Sequence, residues 1–379
     1  MSLALSEQQI LLKDTAHKFF NEQAPVSALR KLRDECNPDG FCRDLWGRIV
    51  DMGWPGTCIP EQYGGLGYGF SELGLVLEAG GRTLAASPLF SNIVLSASSL
   101  LLGGSEEQKS QLLPRMARGE LLLSLALEEG PHHNPSSIAT TATAQGDAYS
   151  LNGRKVFVID GHVADQLIVV SRTAGDHNNE QGISLFLVNT QQQGVSIQRR
   201  IMVDSRNVAD IHFDNVEVNR ANLLGELHNG YPLLRQVIDR GNIGLAAEML
   251  GSLQAAFDRT MDYIKQRQQF GKVIGSFQSL QHRAARMYCE IELSKSVVLA
   301  ALQAIDEEAD NIPQLASLAK VQVSDTFRLV GDEAIQMFGG VGMTDEEDIG
   351  FYLKRARVAQ QTLGDENHHL QRYATCRGY

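Results

Sequence analysis

The chain changes period twice, and that double switch limits what it can fold into. Before residue 118 apolar side chains recur at helical spacing, as at Ile10, Leu11, Ala16, Phe19 and Phe20. From Leu121 the apolar runs shorten and alternate: LLLSLAL, YSLNGRKVFVI, QLIVVSR, ISLFLVN, VSIQ and ADIHF, each set off by turn residues. Beyond residue 226 helical spacing returns. The ordering predicts an α+β multidomain chain, with an N-terminal α-helical domain over 1–118, a middle antiparallel β domain over 119–226 and a C-terminal four-helix bundle over 227–379.

Within those segments the punctuation is specific. Ser6 and Glu7 are placed to open the first helical stretch, over 6–35, and a second around 41–52 ends at Gly53. Further helices are expected at 71–80, 88–102 and 105–118, the last capped by Ser105 with Glu106 and Glu107 in its first turn. Asn152-Gly153, between 149–151 and 155–159, is a two-residue hairpin signal. The final third reads as helices near 229–266, 276–304, 311–338 and 346–375.

Charge and cysteine usage exclude several function classes. A net charge of −11 and a pI near 5.4 argue against nucleic acid or an anionic membrane surface as the main partner. A phosphorylated ligand must then be held by a local cationic site. The 5 cysteines are scattered, odd in number and without metal-ligand spacing, which predicts a reduced, cytoplasmic protein. The opening MSLALSEQQILLKD has no cleavable apolar core, and no apolar run is long enough to span a bilayer, so no membrane partner is expected. His132-His133 and His368-His369 lack a third ligand at suitable spacing; they read as polar loop or helix-surface residues, and no metal site is expected.

The stretch with the most chemistry is Tyr263–His282, YIKQRQQFGKVIGSFQSLQH. A helix closes there on Arg267 and three nearby amides, breaks at Gly271, and resumes past Phe277 and Gln278. Arginine is a bidentate donor for phosphate or carboxylate, and Phe270 offers a flat face for a heterocycle. A polar helix–helix corner with a buried Phe is the equally weighted alternative from these residues alone. Upstream, Ile59-Pro60-Glu61-Gln62-Tyr63-Gly64-Gly65-Leu66-Gly67 is too glycine-rich for helix or strand, and without a preceding strand or a following Lys-Ser/Thr it fails as a nucleotide loop.

These motifs together resemble the acyl-CoA dehydrogenase family. R-x-x-F-G followed by F/H-Q looks like its flavin-binding corner, which in the family serves the FAD of a neighbouring subunit. P-E-x-x-G-G-x-G is similar to its structural N-terminal signature. The run from Gln336 through Gly339, Gly340 and Gly342 to Leu363-Gly364-Asp365 tracks its Q-x-x-G-G-x-G…E-G-T segment without a gap. The likeness spans essentially the whole chain. It implies a soluble oligomeric flavoprotein, a tetramer or dimer, that oxidises acyl-CoA at the α and β carbons and passes electrons to an electron-transfer flavoprotein. In that chemistry a carboxylate takes the α proton and the flavin takes the β hydride.

Residue by residue the resemblance is uneven. Arg267, Phe270, Gln278, Gln336, Gly339 and Gly340 match the residues that grip the neighbour's FAD. The family's flavin loop Thr-Glu-Pro-Gly-x-G-Ser-Asp falls on Leu127–Asn134, so its ring-binding Thr is Leu127 and its Ser is His133. Its Trp-x-Thr becomes Phe157-Val158-Ile159. The catalytic Glu falls on Leu363, which cannot accept a proton. The alternative base position falls on Gly241, followed by Asn242 where Arg is usual; Asp239 and Arg240 match positions nearer the coenzyme A. Slipping that helix by two residues turns it about 200° and does not rescue the base. Asp365 and Glu366 are then the nearest candidate bases, and His133, Asp239 and Arg240 the candidate substrate contacts. Beside a self-sufficient enzyme stand a partner subunit completing the FAD site of an active paralogue, in a hetero-oligomer, and a flavin oxidase or monooxygenase.

Overall fold

The structure is a computed structural model and describes residues 4–379. In chain order its helices are α1 (Glu7–Gln23), α2 (Val26–Asp34), α3 (Arg43–Asp51), α4 (Phe70–Arg82), α5 (Ser98–Gly103), α6 (Glu106–Ala117), α7 (Tyr231–Gln266), α8 (Gln278–Asp306), α9 (Ile312–Phe338), α10 (Ile349–Gln361) and α11 (Glu366–Arg377). The strands are β1 (Leu123–Ala126), β2 (Thr141–Gln145), β3 (Ala148–Ile159), β4 (Gln166–Arg172), β5 (Ile183–Asn189), β6 (Val195–Ile201), β7 (Asn207–Asn219), β8 (Leu223–Leu224), β9 (Gln268–Gln269) and β10 (Lys272–Val273). The order is thus helical, stranded, helical. These elements fall into two compact units: one holds the chain up to Asp34 with Phe70–Ala85 and Asn242–Tyr379, the other Glu35–Gly69 with Ala86–Gly241.

The first unit is helical. Ser6 caps α1 reciprocally with Gln9, and the helical stretch is divided at Ala24-Pro25 into α1 and α2. α9 is the axis of the bundle: Ala316, Ala319, Val323, Phe327, Val330 and Ala334 are all fully buried, at spacings of three or four, and α8, α10 and α11 pack around it. α4 packs backbone to backbone against the middle of α7. A Cβ on Gly81 would lie 2.0 Å from the Glu248 carbonyl, and one on Gly251 1.8 Å from the Glu78 carbonyl. The segment expected as one helix over 346–375 is two, because Leu363 (φ 56°) and Gly364 (φ 104°) turn the chain between α10 and α11.

The second unit is built on one sheet, in the order β6-β7-β3-β2-β4-β5-β8, with β1 added beside β4. Its ladders are antiparallel except where β4 meets β1 and the end of β2, which run parallel to it. Alternate side chains, among them Leu151, Leu167, Val169, Phe186 and Ile211, make its core. Asn152-Gly153 is not the hairpin turn: β3 runs straight through it, with Asn152 opposite Thr141. The turn lies at Gly146-Asp147, where Gly146 takes φ 63°, while Gly153 (φ 149°) marks a register shift against β7. The helix expected at 88–102 is π-wound over Leu89–Ala97, every residue of it buried, before continuing as α5.

Candidate functional site

The chemistry-bearing corner of the helical unit is made by a hairpin between two helices. α7 ends as the Arg267 amide donates to the Tyr263 carbonyl (2.9 Å), and β9 and β10 pair across a turn at Phe270 (φ 55°) and Gly271 (φ 79°). Two successive positive φ values are what a tight two-residue hairpin requires. The turn pushes Phe270 outward: its side chain is 89% exposed, meeting Phe277 only edge-on at 6.2 Å. Lys272 sits 4.3 Å over the Phe277 ring, and α8 starts at Gln278. Arg267 and Gln278 are both exposed. The buried-Phe corner is therefore excluded.

This corner is joined to the end of α9. The Tyr263 ring stacks on Phe338 at 4.2 Å, and its hydroxyl donates to the Phe338 carbonyl (3.2 Å). Immediately past that carbonyl lie Gly339 (φ 67°) and Gly340, where an added Cβ would meet nothing within 4 Å; Gln336 is exposed one turn earlier. The structure thus brings together six of the residues singled out in sequence: Arg267, Phe270, Gln278, Gln336, Gly339 and Gly340. An exposed guanidinium, two amides, an unsupported aromatic face and open glycine backbone suit a phosphorylated, planar cofactor such as FAD.

The turn between α10 and α11 carries the remaining candidates of this unit. Leu363 is buried, and Asp365 is the N-cap of α11, its Oδ1 accepting from the His368 amide (2.9 Å). Glu366 follows in the first turn, half-buried. Lys320, fully buried on α9, donates to the carbonyls of Thr362 (2.5 Å) and Gly364 (2.9 Å), and His369 Nε2 meets that of Leu363 at 2.9 Å. Burial pushes the Lys320 ammonium down to about 7, against a smaller upward pull from Asp365. His369 is not a helix-surface residue; it is fully buried.

In the sheet unit the Leu127–Asn134 loop follows β1 and is held from beneath by a buried ion pair. Lys155 Nζ, fully buried on β3, donates to the Leu127 carbonyl (3.0 Å) and to Glu129 Oε1 (2.6 Å). Glu129 also accepts from the amides of Ala139 (2.6 Å) and Thr140 (3.0 Å). Burial drives Lys155 down to about 8, with Glu129 pulling the other way. Burial alone would raise Glu129, but Lys155 and the amides hold it below the usual carboxylate range. His133 lies in this loop, as its sequence reading has it, with its Nδ1 2.5 Å from Glu128 Oε1. Phe157 sits at a second register shift of β3, with φ 54°, and Ile159 is two residues on; both are half-buried. Leu127 is buried, and neither Leu127 nor Ile159 carries a hydroxyl. Asp239 and Asn242 are buried along α7 and Arg240 half-buried beside them.

Sequence reasoning gave no role to Lys155, Glu129 or Lys320, and placed His369 on a surface although it is buried. The legible signal was a charged residue on an apolar face: Lys320 follows Ala316 and Ala319 on the α9 core stripe. Among the described residues no group of three or more His, Cys, Asp or Glu could hold a metal ion, and no helix is long and apolar enough to cross a membrane.

Comparison with known proteins agrees with this layout. The sequence profiles for the acyl-CoA dehydrogenase N-terminal, middle and C-terminal domains match residues 6–120, 127–216 and 228–375. An acyl-CoA dehydrogenase of Bacillus subtilis is 31% identical, over 94% of this chain and 94% of its own length. The structure of butyryl-CoA dehydrogenase from Megasphaera elsdenii superposes with a TM-score of 0.91 at 26% identity, covering 100% of both chains. A chain of the ChsE4-ChsE5 complex from Mycobacterium tuberculosis does so with a TM-score of 0.90 at 25% identity, covering 100% of this chain and 99% of that one. With three domains matched in order and a relative above 30% identity aligned nearly end to end, the chain belongs to the acyl-CoA dehydrogenase family, whose members are flavoprotein oxidoreductases.

Proposed function

We propose that the protein catalyses FAD-dependent α,β-dehydrogenation of an acyl-CoA thioester. The observation that carries the reading is the exposed corner of Arg267, Phe270 and Gln278, locked by Tyr263 and Phe338 to Gln336, Gly339 and Gly340. Arg267 would bind the cofactor's diphosphate, Phe270 and Gln278 its flanks, and Gln336 with Gly339 and Gly340 its adenosine end, reaching the FAD of a second subunit in a homo-oligomer, dimer or tetramer. Leu127, Phe157 and Ile159 would line the ring of the chain's own FAD. When bound, FAD supplies the acceptor for the β-carbon hydride. His133, Asp239 and Arg240 would contact the coenzyme A portion. The proton from the α carbon goes to Asp365 or Glu366; Glu366 is the freer of the two, because Asp365 caps α11. A cytoplasmic location and an electron-transfer flavoprotein as acceptor complete the reading. Its test is the flavin-to-protein ratio of the purified chain together with dye-linked oxidation of saturated acyl-CoAs. A ratio near one with turnover supports it, and a flavin-free, inactive chain overturns it.

A second reading is favoured by one observation, the buried Leu363 where the family has its base. In it the chain is a partner subunit whose Arg267 corner completes the FAD site of an active paralogue. Activity appearing only on co-expression with such a paralogue would select this reading.

A further inference from the structure

We infer that Lys320 and His369 are positioning residues for the reaction, a buried clamp that fixes the Thr362–Gly364 turn and so the side chain presented at 363. The inference rests on the proposed dehydrogenase reading, in which Asp365 and Glu366, directly after this turn, take the substrate's α proton.

Three successive carbonyls, those of Thr362, Leu363 and Gly364, are each taken by a buried side chain from another element. Lys320 of α9 donates to the first and third, at 2.5 and 2.9 Å, and His369 of α11 holds the second at 2.9 Å. A carbonyl only accepts, so Nε2 of His369 carries the proton. Nδ1 lies 3.4 Å from Ser317 Oγ, one turn from Lys320 on α9, and Arg372 donates to that same hydroxyl at 3.3 Å. Both clamp side chains are fully buried. Three adjacent carbonyls of this turn thus accept from side chains of two other elements. Leu363 is held in the left-handed region (φ 56°), which a non-glycine residue enters at a cost the surroundings must offset. The clamp grips only main-chain atoms, so it specifies where residue 363 stands whatever its side chain is. That separates it from stability in general: many buried contacts hold α9 and α11, but these three hold the one turn that changes direction between α10 and α11.

The test uses the full-length protein. His369→Leu removes the ring donor, His369→Gln keeps an amide N–H at the Nε2 position, and Lys320→Met keeps the apolar stem without the ammonium. Hydrogen exchange of the peptide covering 361–366 is expected to quicken on the order of tenfold in His369→Leu and Lys320→Met, with α7 unchanged, and to stay near the parent rate in His369→Gln. Acyl-CoA oxidation should lose about tenfold in kcat in His369→Leu with KM within about twofold, because misplacing a group beside the reacting atoms slows chemistry more than binding. His369→Gln should recover most of that loss. Unchanged exchange in both disruptive variants, or a rise in KM with kcat intact, overturns the clamp. If the parent oxidises no acyl-CoA, the dehydrogenase reading fails, and exchange at 361–366 decides the clamp alone. Should Lys320→Met not fold, the two His369 variants carry the same comparison.

Discussion

Replacing Glu129 with Gln is the sharpest perturbation of the sheet unit. The change keeps size and shape but leaves the Lys155 ammonium buried with only the Leu127 carbonyl and a neutral amide. Lys155 is fully buried and the Glu129 side chain 14% exposed, so solvent does little to screen the pair. Removing one member of such a pair typically costs about 3–5 kcal/mol, because the survivor is an uncompensated buried charge. For a unit of this size that corresponds to roughly 6–20 °C in Tm. The chain's 2 tryptophans, Trp46 and Trp54, both lie in this unit and are buried, so their emission reports its unfolding selectively. The deficit must also depend on pH. Lys155 already titrates at about 8 in the folded protein, below its unfolded value of about 10.4. The unfolded chain therefore binds more protons across that interval, and stability rises with pH there. Without Glu129 the folded value falls further, so the deficit should be largest near pH 6 and shrink toward pH 10. Adding Lys155→Met to Glu129→Gln should recover part of the loss. A deficit that is the same at pH 6 and pH 10, or a double variant as unstable as the sum of the singles, would refute the buried-charge argument.

Other expectations follow from the helical unit. Arg267→Ala removes a charge-assisted contact contributing on the order of 1.5–3 kcal/mol, so FAD retention on gel filtration should fall while helical content by circular dichroism stays constant. Asp365→Asn with Glu366→Gln keeps an N-cap side chain but removes both proton acceptors, and should lower acyl-CoA oxidation by about 10²-fold or more; activity surviving the double change rules the pair out. Lys320 titrates at about 7, again below its unfolded value, so the helical unit should gain stability from pH 7 toward 10, a gain that Lys320→Met abolishes in thermal scans.

How far the sequence reached depends on what kind of signal each feature leaves. Periodicity carried the helical and stranded segments, because burying one face of a helix or sheet imposes a repeat that a single chain displays. It could not carry the breaks. Leu363 turns the chain with a positive φ that its identity disfavours, and the reason lies in Lys320 and His369, 43 residues earlier and 6 residues later in the sequence numbering. Asn152-Gly153 looked like a turn because its composition permits positive φ, yet pairing of β3 with both β2 and β7 carried the strand through and gave the turn to Gly146. The Arg267 corner was legible as a cationic break after a helix, since charge and glycine act locally. Its link to Gln336–Gly340 was not, because it runs through an unremarkable Tyr263 stacked on Phe338.

Anaerobic titration of the FAD-loaded protein with saturated acyl-CoAs, following the flavin absorbance, decides whether this chain oxidises acyl-CoA with its own flavin. At least one saturated acyl-CoA is expected to bleach the flavin stoichiometrically, and Asp365→Asn with Glu366→Gln to slow the bleaching. A fully loaded flavin that no saturated acyl-CoA bleaches would contradict that expectation.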